Sequence, residues 1–485
     1  MPAKLKTCII TPTHKGGSKA DAVNYRPIAL TSHLIKVFEK ILRNHITVYM
    51  DENNLFNPNQ HGFRKGHSCL SELLDHYDNV LDFLNDSNNV DVIYLDFAKA
   101  FDKVDFGIVL QKIKKLGVDN KTFKWILSFL TGRTQNVVVN DQFSDEKPVI
   151  SGVPQGSVLG PLIFLILLGD IDANVKASKV RSFADDTRAM NGIQNLCHAS
   201  QLQNDLDSIY NWTETNNMEL NEVKFELLRY GKIETLKENT AYLSPTNSVI
   251  AEKLTVKDLG VLMSASNSFN DQIEKTIEKA KQISSWILRS FHSRNQTLML
   301  TLWKSLALPI VEYCSILWSP TKIHDIQQLE QLQWSFLRKI QGNQNLNYWE
   351  CLSKYQMYSL QRRRERYMII YIWKILEGRV PNVNNKVTAN YNIRLGRKCN
   401  ICPNSKYQQI TGIGITLFNL IPKHIRDTTG TQIDSFKKAL DKFLMQVPDE
   451  PHVPSHPHRR AKTNSLVDVI RTWNLDRGRA LNCSS

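Results

Sequence analysis

The sequence predicts an α+β protein whose strands and short helices occupy residues 1–262 and whose remainder is mostly helical. Three observations carry this. Short β-prone runs alternate with amphipathic helical stripes up to about residue 262. Beyond Ser264 the patterns lengthen into helical stretches rich in Trp, Tyr and Arg. The charge changes at the same place. Residues 1–262 hold 29 Lys+Arg against 31 Asp+Glu, a net of −2, and residues 263–485 hold 32 against 16, a net of +16. The whole chain, at +14, asks for a polyanionic partner, and the positive field comes from the C-terminal half. Apolar content of 42% and charged content of 22% are those of an ordinary globular protein with a sizeable core.

Taken in order, Leu5–Thr11 reads as a strand, followed by the loop Pro12–Ser18. Leu34, Val37, Phe38, Ile41 and Leu42 make one stripe of an amphipathic helix. Gln60–Ser68 is a glycine-flanked basic loop, and Leu70–Leu84 a second helix. The apolar run Val90–Leu95 ends in Asp96 and suggests a central strand. Helices follow over Ile108–Leu116 and Phe123–Leu130, with Gly117 and Gly132 as stops. Strands over Asn136–Val139 and Pro148–Ser151 lead to a Pro-Gln-Gly turn and an apolar helix from Val158, too short and proline-broken to span a bilayer. A hairpin around Asp185-Asp186 and a helix over Leu202–Asn216 complete this part. Then come helices over Ile273–Phe291, Thr297–Val311, Ile323–Ile340 and Leu352–Glu377. Past Pro381 the chain turns polar and proline-rich, and only partial order is expected. The expected domains are therefore 1–262, a helical 263–380 and a basic 381–485.

Eight scattered cysteines without framework spacing suggest a reducing compartment, and Met1–Lys6 lacks the apolar segment of a secretory signal. No membrane association is expected. Cys399 and Cys402 form half of a zinc site with no second pair at finger spacing, so two free thiols are expected. The cluster His456-Pro-His-Arg-Arg460 reads as a basic tail.

The chemistry centres on Phe183-Ala-Asp-Asp186. Adjacent side chains of a strand point to opposite faces, so both acids can serve one site only where the chain turns. Two such acids repel unless a divalent cation neutralises them. In isolation the pair is as readily a solvated turn. Asp96, 89 residues earlier at a strand end, supplies a third carboxylate, although a strand-end acid commonly caps the next helix. Three acids on neighbouring strand ends can hold two Mg²⁺ ions about 4 Å apart, with Mn²⁺ a possible substitute, the arrangement for in-line phosphoryl displacement.

Leu95-Asp-Phe-Ala-Lys-Ala-Phe-Asp102, Gly152-Val-Pro-Gln-Gly-Ser-Val-Leu-Gly-Pro-Leu162 and Phe183-Ala-Asp-Asp186 occur in that order. They resemble the palm motifs of reverse transcriptases, especially those of jockey-like, LINE-type retrotransposons without long terminal repeats. Asn24-Tyr-Arg-Pro-Ile-Ala-Leu30 and His61-Gly-Phe-Arg-Lys-Gly-His-Ser68 resemble the family's finger motifs. Val256–Val261, Leu308–Tyr313, Leu317–Pro320 and Ser359–Arg363 resemble segments after the palm. The resemblance implies a right-hand polymerase fold, with fingers and palm around a small antiparallel sheet and a mostly helical thumb after them. It implies an RNA-directed DNA polymerase extending a DNA primer on an RNA template from dNTPs, with no cofactor beyond metal.

Carried over by motif, the resemblance makes Asp96, Asp185 and Asp186 the metal-binding and catalytic carboxylates. Lys224 falls where a lysine could protonate the leaving pyrophosphate. Phe97, Phe101, Gln155 and Gly156 fall at the nucleotide, Phe101 under the sugar where a ring excludes a 2′-hydroxyl. Arg64 and Lys65 sit in a loop suited to a triphosphate, or are simply a solvated basic loop. Leu259 and Gly260 match the turn supporting the primer terminus. Arg362, Arg363, Arg364 and Arg366, flanked by Tyr358, Tyr367 and Trp373, suit a nucleic-acid backbone, or a solvated helix face with aromatics in the core.

Two departures stand out. Where the family carries an aromatic and an Asn-Asp pair, this chain reads Leu165-Ile-Leu-Leu-Gly-Asp170, which predicts looser packing by the palm. Relatives also carry an upstream endonuclease, whereas here Met1 directly precedes the first finger motif, so truncation is expected and target nicking is not assigned. A nuclear location is implied by the resemblance alone. A non-catalytic RNA- or DNA-binding remnant is the alternative from another functional class.

Overall fold

The computed structural model describes residues 1–2, 5–87, 89–382, 386–393, 396–400, 409–451, 453 and 463–473. The chain divides into two compact units, one of residues 1–72 and 79–254, the other of 73–78 and 255–485.

The first unit is α+β. In order it contains β1 (Thr7–His14), β2 (Tyr25–Leu30), α1 (His33–Glu52), α2 (Cys69–Ser87, of which residues 73–78 are assigned to the other unit), β3 (Asn89–Leu95), α3 (Phe106–Lys115), α4 (Asn120–Leu130), β4 (Arg133–Val139), β5 (Gln142–Phe143) and β6 (Lys147–Val149). It continues with α5 (Gly160–Leu168), β7 (Lys179–Phe183), β8 (Asp186–Gly192), α6 (Leu196–Thr215), β9 (Glu226–Gly231), α7 (Glu234–Glu238) and β10 (Ala251–Lys253). One sheet runs β2-β1-β4-β5 with β6 on β4, and β1–β4 is its parallel pair. The second runs β10-β9-β3-β8-β7.

The second sheet positions the site. β3 is its centre because Val90, Val92, Ile93 and Leu95 are all buried, as a strand covered on both faces requires. It runs antiparallel to β8 and β9. α5 lies in the same core, with Leu162–Leu168 buried throughout, each large side chain worth about 1.5–3 kcal/mol of burial. The looser packing expected here is not found: Asp170 accepts hydrogen bonds from Lys112 Nζ and Trp212 Nε1, at 2.5 and 2.8 Å.

α1 forms as expected but with its other face inward. Ile35, Glu39, Ile46 and Met50 are buried, whereas Leu34, Val37, Phe38 and Ile41 are at least half exposed. The physical reason is Glu39, whose carboxylate accepts from Val158 N (2.6 Å) and Leu159 N (2.9 Å), peptide donors next to α5 that need a partner once buried.

The second unit contains the hairpin β11 (Thr255–Asp258) and β12 (Val261–Ser264), then α8 (Asn270–Ser290), α9 (Gln296–Leu302), α10 (Leu308–Glu312), α11 (Ile323–Leu337), α12 (Tyr348–Lys354) and α13 (Leu360–Leu376). A π-helical turn over Trp303–Ala307 separates α9 from α10, where one continuous helix was expected. The single helix expected over Leu352–Glu377 is likewise two. Gln356 takes φ +48° and Ser359 caps α13 by accepting from Arg362 N, so the chain stops and restarts there. The hairpin β13 (Ala389–Asn392)–β14 (Gly396–Cys399) and helices α14 (Ile415–Leu420), α15 (Lys423–Arg426) and α16 (Ile433–Leu444) follow. No helix of the described residues is long and apolar enough to cross a membrane.

Candidate active site

Sheet register brings the acids together. In the β3–β8 ladder Leu95 faces Thr187, so one step on Asp96 comes level with Asp186. In the β7–β8 hairpin Phe183 pairs with Asp186, leaving Ala184-Asp185 as a two-residue turn. Ala184 takes φ +56°, a left-handed conformation costly for a residue with a Cβ. The turn sends Asp185 to the site occupied by its neighbour, which the strand periodicity of two would forbid.

The electrostatics mark these groups as a cluster. Partial burial pushes the Asp185 carboxyl above the ordinary carboxylate range, and the nearby charge of Asp96 adds to it. Burial first, then Asp185 and Asp96, does the same to Asp186. Arg26 and Lys15 oppose the rise at Asp185, which places two finger cations within electrostatic reach of the pair. Neither was singled out in the sequence, although Arg26 stands inside the quoted Asn24–Leu30 motif and was the available signal.

Asp96 is pinned by the segment after α6. Asn221 N donates to Asp96 O at 2.8 Å, and Lys224 Nζ reaches Asp96 Oδ2 at 2.8 Å. Among the described residues no three His, Cys, Asp or Glu groups are gathered closely enough, as they stand, to enclose an ion. The donor set is nonetheless hard oxygen only, which suits Mg²⁺ or Mn²⁺, and its mutual repulsion is what a bound divalent cation relieves. Lys224 supplies a positive charge to Asp96.

The nucleotide-side residues cluster around the Pro154-Gln155-Gly156 turn. Gln155 Nε2 donates to Asp102 Oδ1 at 2.9 Å, and Gln155 O accepts from Ala29 N at 2.7 Å. Gly156 has φ +122°, and a Cβ there would meet Ala29 O at 2.6 Å, so this position requires glycine on both counts. The Phe101 ring is half-buried, stacked on Phe164 with centroids 4.6 Å apart and edge-on to Phe63 at 5.9 Å.

Three expectations need correction. Phe97 points into the core, 5% exposed, because its place one residue after Asp96 turns it to the opposite face. Arg64 is only partly exposed and is engaged within the protein. Its guanidinium donates to Asn57 O (2.9 Å) and Gln60 O (3.4 Å), lies over the Phe56 ring, and is lowered in pKa mainly by burial. Lys65 beside it is exposed.

The third concerns the arginine run of the second unit. Arg362 and Arg364 are buried, and Arg363 and Arg366 are committed to partners. Arg362 donates to Pro448 O and lies 3.7 Å from Glu365; Arg364 feels Glu330 and Glu365. Arg363 pairs with Glu312, and Arg366 makes a bidentate pair with Asp441 at 2.5 and 2.7 Å. Acids in contact with Arg362, Arg363 and Arg366, and the nearby charges of Glu330 and Glu365 for Arg364, offset the cost of burying these cations. Exposed cations of the unit include Lys275, Lys279, Lys281 and Arg289 of α8, which face solvent beside a 48% exposed Trp286 and alternate with the exposed acids Asp271, Glu274 and Glu278. Leu259 and Gly260 form the β11–β12 turn, with φ +43° and +89°, and Tyr313 Oη donates to Leu259 O at 2.7 Å. Cys399 is buried; Cys402, like His452, His456 and His458, lies outside the described residues.

A family model described as reverse transcriptase (RNA-dependent DNA polymerase) matches residues 14–263, just over half of the chain. The chain belongs to the reverse transcriptase family. Curated relatives agree. The chain is 25% identical over 352 residues to the probable RNA-directed DNA polymerase from transposon BS of Drosophila melanogaster. It is 25% identical over 353 residues to that from mobile element jockey, and 28% over 355 residues to the probable one from transposon X-element, both of the same fly. Each alignment takes 70% of this chain but only 38% of the relative, so the chain spans well under half of their length. Among solved structures, the apo telomerase of Candida tropicalis aligns over 76% of this chain and 62% of its own at 11% identity; its TM-score of 0.44 makes it too distant to inform the site. The right-hand polymerase fold expected from the motifs is that of the family, and the matched span takes in the finger motifs, the three carboxylates, the Pro-Gln-Gly turn and Lys224.

Proposed function

We propose that this reverse transcriptase is the RNA-directed DNA polymerase of a non-LTR, jockey-like retrotransposon, extending a DNA primer 3′-hydroxyl along an RNA template with dNTPs. The observation that carries the reading is the arrival of Asp96, Asp185 and Asp186 at one end of the β3–β8–β7 sheet, close enough to perturb one another. Two Mg²⁺ ions held by these carboxylates would supply activation of the hydroxyl and charge neutralisation on the phosphates. The chain's own groups do the rest. Arg26 and Lys15 attract the triphosphate towards the acids, and the Phe101 ring, held by Phe164, excludes a 2′-hydroxyl. Gln155 and Gly156 offer a backbone surface against the nucleotide, fixed by Asp102 and Ala29. Lys224, released from Asp96, is placed to give a proton to the leaving pyrophosphate.

Template and primer are assigned to the α8 cations and to the Leu259-Gly260 turn, with electrostatic contact to the RNA–DNA backbone. The arginine run is not part of that assignment. A non-catalytic remnant is not favoured, because all three carboxylates and the Pro-Gln-Gly turn are present, with Asp96 level with Asp186 in the strand register. Primer extension on poly(rA)/oligo(dT) with dTTP and Mg²⁺ tests the proposal against an Asp185→Asn control.

A further inference from the structure

The turn that carries Asp185 and Asp186 is gripped from outside its own sheet. Strand β7 is an edge strand, and an edge is ordinarily covered or blunted. Here residues 59–62 lie along it. Ser182 N donates to Asn59 O at 3.0 Å, His61 N donates to Ser182 O at 2.9 Å, and Gln60 and Ser182 form a parallel bridge. Covering an edge needs only backbone. The Gln60 side chain does something further.

Gln60 is 5% exposed, and both ends of its amide reach the turn. Its Oε1 accepts from Ala184 N at 2.8 Å and from Gly62 N at 2.7 Å, and its Nε2 donates to Ala184 O at 3.0 Å. The N–H and C=O of Ala184, which takes a left-handed φ in this turn, are thus both satisfied by one amide. Gly62 makes the approach possible, since a Cβ there would fall 2.2 Å from Ala184 N. Arg64 braces the segment by donating to Gln60 O and Asn57 O, which gives that arginine a purpose other than phosphate.

We infer that Gln60 is a positioning residue for the reaction: it fixes the backbone of Ala184 in its left-handed conformation and so sets where the next two carboxylates stand. The inference rests on the polymerase reading for its consequence, but not for the clamp itself. A chemically neutral amide is the right group for this place. A carboxylate could accept from both N–H groups but would repel Ala184 O and add a fourth negative charge beside Asp185 and Asp186. A methionine of similar length would leave both peptide groups of Ala184 without partners.

The test uses the full chain and the substitutions Gln60→Met and Gln60→Glu. Hydrogen exchange at single-residue resolution should show the Ala184 amide protected in the parent protein and exchanging at least tenfold faster in Gln60→Met, while the amides of β3 and α5 are unchanged. In primer extension, kcat per active site should fall about tenfold with Gln60→Met and further with Gln60→Glu. KM for dTTP should stay within twofold, and the Mg²⁺ concentration for half-maximal rate should rise several-fold. A role in folding alone would lower the active fraction and leave kcat per site and the Mg²⁺ requirement where they were; that result overturns the inference. Rapid exchange of Ala184 in the folded parent protein overturns it too, whether or not the variants fold. Failure of the parent protein to extend primer at all would instead strike the polymerase reading, and the exchange data would still decide the clamp.

Discussion

Two clusters of like charge, one in each unit, are treated in opposite ways. At the end of β3, β7 and β8 three carboxylates stand near one another, and Lys224, 52% exposed, forms an ion pair with Asp96. On α13 four cations sit within five residues: Arg362 lies by Glu365, Arg363 pairs with Glu312 and Arg366 with Asp441, while Arg364, buried without a hydrogen bond, feels the charges of Glu330 and Glu365. The first cluster keeps its repulsion and the second has been neutralised. Charge retained against its own electrostatic cost marks a place where something charged is meant to bind; buried charge balanced by nearby acids marks architecture.

The sharpest way to break this comparison is to remove one member of the acidic cluster. Asp185→Asn should reduce primer extension on the order of a thousandfold while the protein remains folded. Removal of one arginine should do the reverse. Arg364→Met leaves Glu330 buried beside no cation and should cost about 3–5 kcal/mol, visible as a large fall in melting temperature and a smaller folded yield. Template–primer affinity per folded molecule should be unchanged.

A smaller effect separates buried from exposed cations. The triple substitution Lys275→Gln, Lys279→Gln and Lys281→Gln should weaken binding to an RNA–DNA hybrid about tenfold at low salt and flatten the log–log salt dependence by roughly one per lost phosphate contact. Arg363→Gln should leave that slope alone. An unchanged slope in the triple variant would move the template face off α8.

The smallest effect concerns pH. The pKa values of Asp185 and Asp186 are raised in the fold, so their contribution favours the folded state below the ordinary carboxylate range and is lost as pH rises through the raised values. In EDTA at pH 7.5 the two charges therefore destabilise the protein, and Asp185→Asn should melt about 1–3 °C higher than the parent. Added Mg²⁺ should raise the parent and not the variant, reversing the order.

The sequence made much of this legible, for reasons that differ from element to element. β3 announced itself because a central strand must be apolar on both faces, and the Asp185 turn because two adjacent acids make sense only where strand alternation breaks. α1 was legible as a helix but not in its orientation. It carries two apolar stripes, and the choice between them was made by Glu39 and the peptide groups of Val158 and Leu159, partners 119 and 120 residues away. The arginine run misled for the same reason, since Glu312, Glu330 and Asp441 lie far along the chain. Gln60 stood just before a recognised motif, yet its meaning depends on the backbone of Ala184, 124 residues on. Local pattern reports what an element is; long-range pairing decides which of its side chains are left to act.

The measurement that bears most directly on the central claim is primer extension by the purified chain on poly(rA)/oligo(dT), with and without Mg²⁺, beside Asp185→Asn. Mg²⁺-dependent incorporation of dTMP, abolished by the substitution, is the expected result. Incorporation no greater than that of the folded Asp185→Asn protein would contradict it.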